Sequence, residues 1–168
     1  MTHAACVAKL SRMKTAPMLI ALAAAALAAP AHADNHSSTC PDPANAKADV
    51  EKTISDFFDA VRLKDKAPME ALTTKRFYAF DVGARFSGTA LNETVVEALD
   101  EGIEINWVLQ PMDTQVRCDV AWSQWENIGS AGTPPDLEPV RWLESAVLVH
   151  EDGRWKLDFF HSQRARGE

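Results

Sequence analysis

The sequence predicts an α+β domain in which three N-terminal helices pack on one face of a strongly bent antiparallel sheet. Three observations lead there. Val50, Ile54, Phe57, Phe58 and Val61 recur at helical spacing and form one apolar stripe. From Ile103 onward the period changes to two, the alternation of a half-buried strand. Near the end, Asp152-Gly153 stands between two alternating runs, and that dipeptide supplies the positive φ angles of a tight hairpin turn. Helices first and strands last place the helices together on one side of the sheet.

The first helix is expected over about Asn45 to Lys64, with Glu51, Lys52, Asp59 and Arg62 on its polar side. Asp65 to Pro68 breaks and restarts it, because proline is tolerated in a first helical turn. A short second helix from Pro68 to about Thr74 turns Met69 and Leu72 inward. Phe77 to Phe86 reads as two short strands divided at Gly83. Asn92 is placed as the N-cap of a third helix, with Glu93 in the first turn where the helix dipole favours an acid, and Gly102 as its stop. Ile105, Trp107 and Leu109 then alternate up to a turn at Pro111 to Asp113. Val116, Cys118, Val120 and Trp122 alternate in a second run that continues to Trp125. Gly129 to Pro139 is expected to be a loop from its glycine and proline content.

The closing hairpin runs from Val140 to Arg164. With Asp152-Gly153 at the tip, residues pair when their numbers sum to 305: Glu144 with His161, Ala146 with Phe159, Leu148 with Leu157, His150 with Trp155. Trp155, Leu157, Phe159 and His161 then face the core, and Lys156, Asp158, Phe160 and Ser162 face away.

The chain has 168 residues and a net charge of −7. Met13-Lys14, an apolar run through Ala29 and the A-x-A site at Ala31 to Ala33 are the three parts of a secretory signal peptide. Met1 and Met13 both stand as starts. We expect cleavage after Ala33 by the general secretion route and a periplasmic or secreted protein. Lys9, Arg12 and Lys14 leave with that segment, so the 135 remaining residues carry −10. An acidic domain without a basic stripe is not built for nucleic acid, and no stable membrane insertion is expected once the signal is removed. Cys40 and Cys118 remain. An oxidising compartment permits a disulfide between them, the alternative being a buried Cys118 and an exposed Cys40 thiol.

The closing run E-D-G-R-W-K-L-D-F-F-H-S, after a long amphipathic helix, a short one and a third before a meander, resembles the nuclear transport factor 2-like superfamily. Ketosteroid isomerases and SnoaL-like polyketide cyclases share this cone-shaped fold. Gly153, Trp155, Leu157, His161 and Ser162 match a pattern that closes many small, including exported, bacterial members. The resemblance covers Asn45 to Arg164. It divides the chain into a signal peptide at 1–33, a flexible leader at 34–44, the cone-fold domain at 45–164 and a tail at 165–168. It implies a sheet wrapped over the helices with a pocket at the open end, and a homodimer through the outer sheet face. Val147, Val149, Lys156, Asp158 and Phe160 would be presented there. It also implies an Asp or His proton shuttle in the pocket. The steroid-isomerase arrangement does not map, since the first helix holds no Tyr and the chain's single one is Tyr78.

His161, oriented by Glu144, is the first candidate for chemistry: an imidazole titrates near neutrality and a neighbouring carboxylate raises its pKa. The same pair could instead pin the strand ends. Asp81, between Phe80 and Val82, is either a desolvated base or a turn residue facing water beside Gly83. Tyr78, Trp107, Trp125, Trp142 and Phe159 are the candidate ligand-binding residues, as an apolar pocket wall with a few polar groups requires. No His-Glu-x-x-His or paired-cysteine spacing suggests a metal, no Gly-rich phosphate loop or Gly-x-Ser-x-Gly elbow is present, and no cofactor is expected. Three readings follow. The first is a carrier of a small, largely apolar molecule. The second is a cofactor-free isomerase, cyclase or lyase with His161 moving a proton. The third is a dimerisation or interaction module with a filled cone.

Overall fold

A computed structural model describes residues 40–166; the expected signal peptide lies outside them. Helix α1 spans Pro43–Arg62, α2 Lys66–Ala71 and α3 Ala90–Asp100. The strands are β1 Thr73–Asp81, β2 Ala84–Ser87, β3 Glu104–Asn106, β4 Asp113–Arg117, β5 Val120–Thr133, β6 Asp136–Glu151 and β7 Arg154–Arg164. They form one curled sheet in the order β2-β1-β7-β6-β5-β3, with β4 beside the other stretch of the same β5 edge. All neighbours are antiparallel except β1 and β7, which run parallel. The α+β class is as the sequence predicts. Among the described residues no helix is long and apolar enough to cross a membrane.

Helix α1 begins two residues before its expected start. Asp42 caps it by accepting from the Ala44 backbone N–H at 3.0 Å, and Pro43 fills the first turn, where its missing N–H costs nothing. Its stripe of Val50, Ile54, Phe57, Phe58 and Val61 is buried against the inner face of the sheet. Helix α3 starts earlier than the placement of an N-cap at Asn92 implies. Thr89 holds the cap position and donates to the Glu93 carboxylate at 2.9 Å, which leaves Asn92 buried inside the helix.

Two regions expected to be simple are not. The run from Val116 to Trp125 is cut by a tight turn at Cys118 and Asp119, where Cys118 adopts a φ of 52°. The Gly129 to Pro139 stretch is no loop: β5 and β6 continue as a paired arm to Thr133 and Asp136, with Pro134-Pro135 at its tip. Pro139 is accommodated because β7 ends at Arg164, opposite Trp142, so β6 has a free edge beyond that point.

The closing hairpin carries the correction that matters for function. Asp152 and Gly153 both have positive φ, and the 305 register holds from Glu151↔Arg154 to Leu148↔Leu157. There a β-bulge leaves Asp158 unpaired, and the next partners are Val147↔Phe159, Ala146↔Phe160, Ser145↔His161 and Glu144↔Ser162. Every residue of β7 beyond the bulge is therefore on the face opposite to the one expected. Phe160 and Ser162 are inside; Phe159 and His161 are outside. The bulge is fastened to β1, since Asp158 accepts from Thr74 Oγ1 at 2.7 Å and Arg76 Nε at 2.8 Å.

Cys40 and Cys118 form a disulfide with their Cα atoms 4.5 Å apart, joining the segment before α1 to the β4–β5 tip. It closes a loop with a sequence separation of 78 residues. In the chain-entropy account a loop of that length restricts the unfolded chain by about 4 kcal/mol.

Candidate functional site

Burial drops the apolar stripe of α1 onto β5, β6 and β7, but the packing does not close toward the ends of β1, β6 and β7. A cavity of about 450 Å³ remains there, bounded by α1, α3, β3 and the far part of the β5–β6 arm. The cone is not filled. Phe57, Phe58, Phe86, Trp107, Trp142 and Phe160 form its aromatic walls. Asp136, Glu138 and Arg164 are lining residues exposed to solvent and mark where it opens.

Glu144 lies on the inner face of β6 and lines this cavity with only 5 % of its surface exposed. The alternation of β5 brings Trp125 and Asn127 beside it. Trp125 Nε1 donates to Glu144 Oε2 at 2.7 Å and Asn127 Nδ2 donates to the same oxygen at 3.1 Å. Ser162, placed inward by the bulge, donates to Oε1 at 3.2 Å. Asn127 is itself fixed, because its Oδ1 accepts from the Val108 backbone N–H at 2.8 Å. Desolvation pushes the Glu144 carboxyl up to about 7; the three donors pull the other way, and the nearby charge of Asp81 adds to the rise.

Asp81 closes β1 and lines the same cavity, half-buried. Its carboxyl is raised by burial, opposed by the Val82 backbone N–H at 2.8 Å and by the charges of His161 and Arg164. Two carboxyl groups thus share one largely apolar space, both shifted toward the neutral form.

The remaining candidates divide by face. Trp107 and Trp142 line the cavity, and Trp125 serves it through its indole N–H. His161 does not: it lies on the outer face opposite Ser145, its ring 6.4 Å from that of Phe80. The expected Glu144–His161 pair is absent because the bulge moves the imidazole through the sheet. Tyr78 and Phe159 are also outside, their rings 5.0 Å apart, where they form an aromatic cluster with Phe80. Phe160, expected outside, is in the core against Phe57, Phe58 and Trp125. Asn127 and Ser162 are site residues that the sequence reading passed over. The available signal for Asn127 was an amide at an inward position of a buried strand, two residues after Trp125.

No protein-family model matches the chain. No curated protein matches it in sequence. Solved structures do match in fold. A ketosteroid isomerase-like protein from Erwinia carotovora atroseptica aligns with a TM-score of 0.59 at 15% identity, over 72% of this chain and 97% of that one. An NTF2-like protein from Pseudomonas putida aligns at 0.61 and 18% identity, over 74% and 89%. The CaMKII hub of S. rosetta aligns at 0.63 and 19% identity, over 74% and 100%. The domain has the nuclear transport factor 2-like fold.

Proposed function

We propose that this domain binds a small, largely apolar molecule in the cavity, with the ligand's polar group set against Glu144. The observation that carries this reading is a carboxyl, 5 % exposed and held by three donors, on the wall of an aromatic cavity. Such a group is costly to bury, and an apolar space with a few oriented polar groups is the usual form of a small-molecule site. A thermal-shift screen of apolar ketones, alcohols, acids and amines tests it, run on the native protein, on Glu144→Gln and on Val95→Trp, which fills the cavity from its α3 wall. A ligand that raises the melting temperature of the native protein alone supports the reading. No response to any member, or a response that survives both substitutions, removes it.

A second reading, proton transfer by a cofactor-free isomerase or lyase, is favoured by the near-neutral Glu144 with Asp81 in the same space. Here Glu144 exchanges the proton, and His161 takes no part. On a substrate found by the screen, Glu144→Gln lowering kcat with little change in KM supports it. An unchanged kcat excludes it.

We also infer that the protein acts outside the cytoplasm as a homodimer. The signal-like segment and the Cys40–Cys118 disulfide support export. The outer sheet face supports self-association, because Phe80, Trp122, Leu143 and Ile128 expose a large part of their apolar surface there. The fold match to a hub domain agrees with it. Trp122→Glu is expected to yield monomer in sedimentation; a native protein that already sediments as a monomer removes the inference.

A further inference from the structure

The polar group of a ligand has to match the charge it meets in the cavity. Charge around the cavity narrows it. Four carboxyl groups line it, Asp81, Asp136, Glu138 and Glu144, against one basic side chain, Arg164. Among the described residues none of the five takes part in an ion pair, so their charges are not spent on one another in close contact. The walls between them are aromatic, and ring faces carry negative potential that attracts cations. A carboxylate ligand entering this space meets net like charge; an ammonium meets opposite charge at the mouth and again at depth.

We propose that the cavity selects a hydrophobic amine in its protonated form, with the ammonium against Glu144 and the apolar body between the aromatic walls. This rests on the binding reading above. A cation at that position favours the ionised carboxyl, and Glu144, whose proton is held by burial up to about pH 7, gives it up as the amine binds. Binding is therefore linked to proton release.

The experiment is calorimetric titration with a matched series of one apolar body, phenylpropylamine, phenylpropanol and phenylpropionate, near neutral pH in two buffers of different ionisation enthalpy. The amine is expected to bind about tenfold or more tightly than the alcohol, and the carboxylate most weakly, as opposite, absent and like charge dictate. Amine binding should release protons, because an ammonium beside Glu144 favours its ionised form. Glu144→Gln should abolish the release and most of the preference. The paired substitution Asp136→Asn with Glu138→Gln changes two exposed side chains at the cavity mouth. It should weaken the amine about threefold and the alcohol by less, narrowing the preference between them.

A carboxylate that binds as well as the amine, or amine binding without proton release, overturns the proposal. If the alcohol binds and the amine does not, the cavity remains a binding site and this inference alone falls. If no member of the series binds, both readings fall together.

Discussion

The two halves of the closing hairpin obey different rules. Next to the Asp152-Gly153 turn, from Glu151↔Arg154 to Leu148↔Leu157, the ladder keeps the register that turn chemistry sets. Beyond Asp158 it is shifted by one residue, and β7 continues with its faces exchanged. A strand has a side-chain period of two, so a one-residue slip is the smallest change that carries a whole set of side chains through the sheet. The half near the turn supplies core; the half beyond the bulge decides which groups reach the cavity. Ser162 enters and His161 leaves. A turn therefore specifies pairing only as far as the ladder stays unbroken.

The neighbours Phe159 and Phe160 give this contrast its strongest test. Phe160→Ala removes a buried ring from Phe57, Phe58 and Trp125, and is expected to cost about 3–5 kcal/mol in chemical denaturation. Phe159→Ala, on the outer face, should cost less than about 1.5 kcal/mol. Equal costs, or the reverse order, would break the shifted register.

Glu144 comes next. Its folded pKa is raised from 4.5 to about 7, so the stability linked to its proton is full below the unfolded value and lost as pH rises through about 7. Across that window the loss is about 3 kcal/mol. In Glu144→Gln the amide oxygen can accept from Trp125 and Asn127 while its NH₂ donates to Ser162 Oγ. That variant should show a flatter dependence of melting temperature on pH and match or exceed the native protein at about pH 8. A native protein whose melting temperature holds steady or climbs between about pH 5 and pH 8 contradicts the assignment.

Asp158→Ala tests what fastens the bulge. Losing the bonds from Thr74 and Arg76 is expected to cost about 1–2 kcal/mol, with the melting temperature of Phe160 variants unaffected in rank. The smallest effect belongs to His161→Ala. It should change monomer stability by less than about 0.5 kcal/mol and leave ligand-induced thermal shifts intact. Loss of the shift in that variant would put the imidazole back in the site.

Much of this was readable in advance from local spacing and turn chemistry. The α1 stripe has more than two turns of regular spacing, and the hairpin tip has a dipeptide with a conformational requirement of its own. The Asp42-Pro43 pair also carried its message, an N-cap followed by a proline in the first turn, although the expected start lay later. The bulge was harder. Adjacent phenylalanines satisfy either register, since each one offers a ring to the core, and the polar residues that follow weigh little by hydrophobicity. The doublet was nevertheless the sign that strict alternation fails there. The β5–β6 arm was hidden for another reason: glycine and proline signal loops on average, yet a free strand edge and a two-proline tip accommodate both. Glu144 was legible as a residue to watch, but not its partners. Trp125 and Asn127 reach it across strands, so their contact depends on the turn at Cys118 and Asp119 that sets the phase of β5.

The disulfide has a mechanical consequence. Cys40 stands ahead of α1 and is bonded to the tip of the β4–β5 hairpin. Tension applied to any segment attached upstream of Cys40 passes through the sulfur atoms into the sheet, bypassing α1. The helix that supplies the cavity floor is thereby taken out of the load path, and pulling on the chain from that end stretches a β-hairpin before it can peel the core.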